Sequence, residues 1–398
     1  MLQKPAMSWL LSSISVLVLG AFPLLGAQAM PPAEDDDTGS SRQVVSELDP
    51  RTKVLDVSTL GSLDRLIDAL VDDRVVFVGE SHDRYEDHLN QLEIIRGLVE
   101  RGNQVAVGME FFQQPFQTQL DAYIAGTLDE EAFLRETEYF ERWRFDYRLY
   151  RPILRYAREH GIPLIALNVP REITQKVGDG GIDSLSSAER RQIPDEIDRD
   201  DADYRAHVEQ VFEMHPKDED ASFEHFLEVQ LLWDEGMAER AAQWLEANPG
   251  KQLVVLAGVG HVQYGRGIPA RLQRRVDAPM SIVMNGHQRP LDPEIADYLL
   301  YPQPVELPKT GLMGVMLDTE TAGAGVAIQG FAQKSGAREA GVETGDRIIE
   351  IGDIPIESYA DIRIALMDSR PGERLPIQVV RDRLVGGAKQ LSFDVTLQ

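Results

Sequence analysis

Five short aliphatic runs punctuate the chain between residues 54 and 286. They are RVVFVGE (74–80), QVAVGME (104–110), PLIALNV (163–169), QLVVLAG (252–258) and MSIVMNG (280–286), bounded by Gly, Pro or Asn. Apolar runs of this length without alternation predict strands buried on both faces. Amphipathic segments separate them. DRYEDHLNQLEIIRGLVERG places Leu89, Leu92, Ile95 and Val99 on one stripe and reaches a stop at Gly102. Thr127 and Glu130 have the spacing of a capping box ahead of EAFLRE. YRLYRPILRYAREHGIP leaves its helix through Gly161 and Pro163. The alternation predicts an α/β domain with a parallel sheet flanked by helices.

Residues 183–248 break the rhythm. They contain no strand pattern and are dense in charge, and FLEVQLLWDEGMAERAAQWL spaces Phe226, Val229, Leu232, Met237 and Trp244 by helical turns. A helical insertion before the fourth strand is expected, either as a lid over a site or as an extra layer. YPQPVELPK, from Tyr301, reads as a Pro-rich connector, and the remainder reads as short strands, Gly turns and one helix. The expected division is 1–29 as a leader, 30–50 as a tether, 51–300 as the α/β domain and 301–398 as a small mainly-β domain with its connector.

Charge and ends narrow the classes. The chain has 398 residues, 40 Lys+Arg and 66 Asp+Glu, a net charge of −26. So acidic a surface argues against nucleic acid as a partner and against docking on anionic lipid. Lys4, the apolar WLLSSISVLVLGAFPLLG and the small-x-small Ala27–Gln28–Ala29 predict a secretory signal, cleaved after Pro23 and Gly26 break its helix. An uncleaved anchor is the alternative. PPAEDDDTGSS then reads as a solvated tether. There is no cysteine, which excludes disulfides, thiolate metal ligands, a cysteine nucleophile and a lipidated cysteine. Export without disulfides fits a periplasm.

In open parallel sheets, ligands bind outside the carboxyl ends of the strands. Glu80 and His82 end the first run in GESHD, Glu110 ends the second in GMEFF, and His261 follows the fourth in GVGHVQYGRG. Each alone reads as a polar turn residue, but a parallel sheet brings all four to one edge. Gly79, Gly258 and Gly260 permit sharp turns or close approach there. Two His and two carboxylates without sulfur suit a divalent metal, which would lower the pKa of bound water. They equally suit general acid–base chemistry, with or without a metal. HExxH, GxSxG and a P-loop are absent.

VFVGESHDRYEDHLNQLEII, VGMEFFQ, ALNVPREI, VQLLWDEGMAE and VLAGVGHVQYGRGIPARL together resemble the ChaN-like haem-binding uptake proteins, related to Tiki proteases, TraB proteins and erythromycin esterases. The resemblance spans roughly residues 54–290. It implies haem binding or iron uptake, and it points to Glu80, His82, Glu110 and His261, with Arg171 and Asp234 behind them. Haem also needs a planar apolar slot and an axial ligand. Tyr264, Tyr204 and His207 are candidates, and spacing selects none.

The tail resembles a PDZ domain. GLMG, Gly311 to Gly314, matches the carboxylate-binding loop, SGAREAGVETGDRIIEIGDIPI the core, and YADIRIAL the groove helix. The resemblance implies that C-terminal peptides of other proteins add beside Val315, with Leu312, Met313, Val315, Ile362 and Leu366 near their last residue. Two readings stand side by side. One is a periplasmic haem- or iron-handling protein with a peptide-binding module. The other is a metal-dependent peptidase or esterase whose PDZ recruits polypeptide substrates.

Overall fold

The computed structural model describes residues 55–214, 222–287, 289, 291–382 and 387–398. The expected leader and tether lie outside these residues. The chain folds in the order α1 (Leu63–Leu70), β1 (Val75–Glu80), α2 (Tyr85–Glu100), β2 (Val105–Gln113), α3 (Gln117–Ile124), α4 (Glu130–Glu136), α5 (Tyr139–Arg142), α6 (Tyr147–His160) and β3 (Leu164–Asn168). Then come α7 (Arg171–Gly180), α8 (Ser187–Arg190), α9 (Ala202–Met214), α10 (Phe223–Ala247), β4 (Gln252–Gly258), α11 (Ile268–Arg275), β5 (Met280–Asn285) and β6 (Tyr298–Leu300).

These six strands form one parallel sheet in the order β3-β2-β4-β1-β5-β6. Every residue of β1 and β4 is buried, as expected for strands covered on both faces by helices. The five predicted strands are all present. β6 was not predicted, because three residues from the irregular stretch before the connector carry no pattern of their own.

The expected capping box is corrected. Asp129, not Thr127, caps α4, accepting from Ala132 N at 2.8 Å, while Thr127 Oγ1 donates to Ala122 O. The stripe on α2 is also shifted. His88, Gln91, Leu92, Ile95 and Leu98 are buried, and Leu89 and Val99 only half so. Two polar side chains occupy the inward face, and the site explains why.

The second half of the chain continues with β7 (Val315–Asp318), β8 (Val326–Phe331), α12 (Gly336–Glu339), β9 (Arg347–Ile351), β10 (Ile354–Pro355), α13 (Tyr359–Leu366), β11 (Arg374–Arg381) and β12 (Lys389–Thr396). Its sheet is antiparallel, ordered β12-β11-β9-β8-β7 with β10 beside β9. The small domain does not hang free. Ala360, Ile364 and Met367 join the first domain's core cluster. Arg135 Nε donates to Asp361 Oδ1 at 2.7 Å, and Arg151 pairs with Asp368. The connector is held too, since Arg148 Nη1 donates to Pro308 O at 2.7 Å. Among the described residues, no helix is long and apolar enough to cross a membrane.

Candidate functional site at the strand tips

Strand order makes the crevice. β4 lies between β2 and β1, so the tips that carry Glu110, His261, Glu80 and His82 are neighbours. Register places Glu80 beside Gly258. Gly258 matters because it lacks a side chain. A Cβ there would stand 2.8 Å from His82 Cε1 and 3.5 Å from Glu110 Oε2. The His82 ring and the Glu110 carboxylate thus meet over bare backbone, and Gly258 N donates to Glu110 Oε2 at 2.6 Å.

Glu80 is a pivot buried among four donors. Its oxygens face His82 Nδ1 at 2.9 Å, His88 Nδ1 at 3.2 Å, Gln91 Nε2 at 2.7 Å and the Tyr150 hydroxyl at 3.1 Å. Burial opposes its charge, but the facing His88 and His82 outweigh it and hold the carboxyl far below the usual carboxylate range. His88 and Gln91 of α2 therefore point inward to satisfy a buried anion, which displaces the apolar stripe.

The opposite side repeats the device. His261 Nδ1 faces Asp234 Oδ1 at 2.7 Å, and its Nε2 faces Glu110 Oε1 at 3.5 Å. Tyr204 donates to Asp234 Oδ2 at 2.6 Å. Burial works against a charged His261, yet Asp234 and Glu110 prevail and push its pKa up to about 9. Burial also opposes charge on His82, and Glu80 with Glu110 raises its pKa nonetheless. His88 follows the same pattern against Glu80. Two imidazoles with raised pKa values thus flank Glu110, each backed by a buried carboxylate.

Aromatic rings rim the crevice. Trp143 and Phe145 lie 4.8 and 4.9 Å from the His82 ring, and Trp233 lies 6.1 Å from that of His261. All three are half-buried.

Glu80, His82, Glu110 and His261 converge as the strand pattern predicts, and Asp234 stands behind His261. Arg171 does not reach them; it donates to Glu141 O, and its backbone N–H to Gln113. Tyr264 carries a positive φ of 59° and its ring lies under Arg266, beside the crevice. Tyr204 is buried with its hydroxyl committed to Asp234, which removes it as an axial donor. The divalent-metal expectation gains no support from the geometry: among the described residues, no group of three or more His, Asp or Glu is placed to hold a metal ion. His88, Gln91, Tyr150, Trp143 and Phe145 were missed. They come from helices and a loop, and no strand-end signal marks them.

In the small domain, Gly314 has φ 74° and its Cβ would meet Lys334 O at 2.5 Å. Gly311 N and Leu312 N donate to Ser369 O and Gln398 O. Met313, Ile362 and Leu366 are buried together in the domain core. Val315 is half-buried, whereas Leu312 and Met316 are 58% and 53% exposed.

Comparison with known proteins identifies both units of the chain. Residues 66–272 match the family described as haem-binding uptake, Tiki superfamily, ChaN, and residues 311–397 match the PDZ domain. A solved ChaN from Campylobacter jejuni, described for cofacial haem binding, superposes with a TM-score of 0.50 at 16% identity, over 61% of this chain and 93% of that one. The HtrA3 PDZ domain bound to a phage-derived ligand matches at 19% identity and a TM-score of 0.19, over 23% of this chain and 86% of its own. Protein RETICULATA-RELATED 5 of Arabidopsis thaliana, a chloroplastic protein, is 27% identical over 63% of this chain, which spans only 38% of its length. The first match covers just over half of the 398 residues. The chain belongs to the ChaN-like haem-binding uptake family of the Tiki superfamily, and it carries a PDZ domain behind that unit.

Proposed function

We propose that the chain is a periplasmic haem-handling protein that binds haem at the strand-tip crevice and captures polypeptide C-termini with its PDZ domain. The aromatic rim carries this reading. A flat macrocycle with two carboxylate arms needs planar apolar contact, with cations at its edge. Trp143, Phe145 and Trp233 supply the rings. Arg266 and Arg289 supply cations near Gln263, and burial pulls the Arg289 pKa down, so a carboxylate partner would be welcome there. Haem, when bound, brings an iron centre able to take an axial ligand or an electron. His82 and His261, whose pKa values are raised, offer N–H donors. Burial and Arg266 lower the His207 pKa, leaving a neutral imidazole at pH 7. His207 and Tyr264 are therefore the axial donors to test. The secretory signal expected from the sequence supports delivery to the periplasm.

The PDZ half of the reading rests on β7, an edge strand with one side unpaired, to which a peptide can add. Exposed Leu312 and Met316 offer it apolar contact. The test is a haem titration of the purified chain followed by visible absorbance. A Soret band that saturates, and that shifts in His207→Ala or Tyr264→Phe, is expected. A spectrum that stays that of free haem sinks the reading.

A second reading follows from the paired His–carboxylate dyads around Glu110. That arrangement suits metal-free general acid–base hydrolysis, with Glu110 holding a water between two imidazoles. Ester or peptide turnover that survives chelator and vanishes in Glu110→Gln would establish it. No turnover by the chelated protein removes it.

A further inference from the structure

One short segment touches both the PDZ helix and the crevice. Residues 138–145 include α5 and the loop that follows it. At one end, Phe140 is buried under the Arg363 guanidinium of α13, with the cation 5.1 Å from the ring centroid. Arg135, one turn upstream, is tied to Asp361 of the same helix. At the other end, Trp143 packs edge-on against His82. The Trp143 indole N–H donates to the Tyr150 hydroxyl at 3.0 Å, and that hydroxyl donates onward to Glu80.

The segment is also strained. Glu138 and Arg144 bracket it with φ of 50° and 69°, and the only other non-glycine residue with positive φ among those described is Tyr264. Within it, the Tyr139 hydroxyl is buried without a hydrogen-bond partner. Left-handed side-chain-bearing residues and an orphaned buried hydroxyl are costly features that persist where surroundings impose them. Here the surroundings are the docked α13 on one side and the His82 pivot on the other. Relaxing either contact removes a reason for the segment to hold its shape.

We infer that α13 sets the position of Trp143 over His82 through residues 138–145, so that events at the PDZ groove and at the crevice are coupled. Because α13 contributes Ile362 and Leu366 to the same core as Met313 of the carboxylate loop, a peptide wedged between loop and helix loads that contact. By linkage, a ligand that moves Trp143 changes peptide affinity by the same factor as the peptide changes the ligand's affinity.

The experiment reads the indole N–H resonances of the full chain. Trp143 is the reporter, and Trp233, which packs on His261 across the crevice, is the internal control. The first arm needs no ligand. In the Arg135→Ala/Arg363→Ala double variant the Trp143 signal moves or broadens while Trp233 stays in place. An unmoved Trp143, or equal movement of both indoles, overturns the coupling. The second arm adds a decapeptide with an apolar residue and free carboxylate at its end, with an amidated copy as control. This arm alone rests on the proposed peptide binding. Binding seen by anisotropy with Trp143 displaced supports the coupling, and binding with Trp143 still overturns it. If the peptide does not bind, the PDZ half of the proposed function fails, and the ligand-free arm still decides the coupling.

Discussion

His261 is held as a cation by Asp234 on one nitrogen and Glu110 beyond the other, and stability must follow its proton. A group whose pKa rises from 6.5 to about 9 on folding contributes in full below pH 6.5. That contribution is lost as pH rises through about 9. Urea midpoints of the intact chain should therefore fall across this window by the equivalent of about 1–3 kcal/mol. Asp234→Asn should flatten the profile and bring the His261 titration, followed by NMR, toward the ordinary imidazole value. A profile that does not change in that variant would show that Asp234 is not the cause. Gly258→Ala tests the close approach over the β4 tip. Its Cβ meets the end of a side chain, not backbone, so His82 swings aside while the fold survives, with a loss of about 1 kcal/mol. The His82 resonance should move, and that of His261 much less. At this scale the sequence was partly transparent. Glu80, His82, Glu110 and His261 stand where Gly-bounded aliphatic runs end, so strand pattern alone gathers them. Asp234 came only through the family resemblance. His88, Gln91 and Tyr150 were opaque, because nothing local tells a buried polar side chain from a solvated one until Glu80 is seen to need it.

Helix α10 shows how an element fixes the site. It carries Asp234 and crosses the chain after β3 at Gly236, where a Cβ would stand 2.3 Å from Val169 Cγ1. Val169 is 1% exposed and has no room to yield. Gly236→Ala should cost about 1–3 kcal/mol by overpacking and lift Asp234 away from His261. The expected signature is a lower melting temperature together with a lowered His261 pKa; a normal melt with an unshifted His261 would mean that the crossing is looser than drawn. The same lesson about legibility holds here. Charge density and helical spacing announced α10 as part of an insertion. Its role in holding His261 was hidden, because the insertion's partner surface lies on strands far away in sequence. Helix α13 carries a clue in its own sequence. Its apolar residues lie on two faces, Ala360 and Ile364 on one and Ile362 and Leu366 on the other, and a helix apolar on two sides is covered on two sides. One face meets the PDZ core and the other the first domain.

Across the whole molecule, the two halves are joined by packing as well as by chain. Removing residues 301–398 takes away Ala360, Ile364 and Met367 from the first domain's core and leaves Arg135 and Arg151 without their partners on α13 and beyond. The shortened protein should melt several degrees lower, at about 2–4 °C per kcal/mol for a unit of this size. Calorimetry of both forms checks this, and an unchanged first-domain melt would show the contact to be energetically idle. The sequence showed only a Pro-rich connector between the halves, because composition reports only the lack of a core pattern. The three residues of β6 just before it alter that picture, since they extend the sheet parallel to β5. The consequence is mechanical. A pull on a polypeptide held by the PDZ domain would reach the first domain through the α13 contact and also along the connector, whose end at β6 is paired with β5. The molecule would then transmit a tug from its partner to the edge of the sheet whose tips form the crevice.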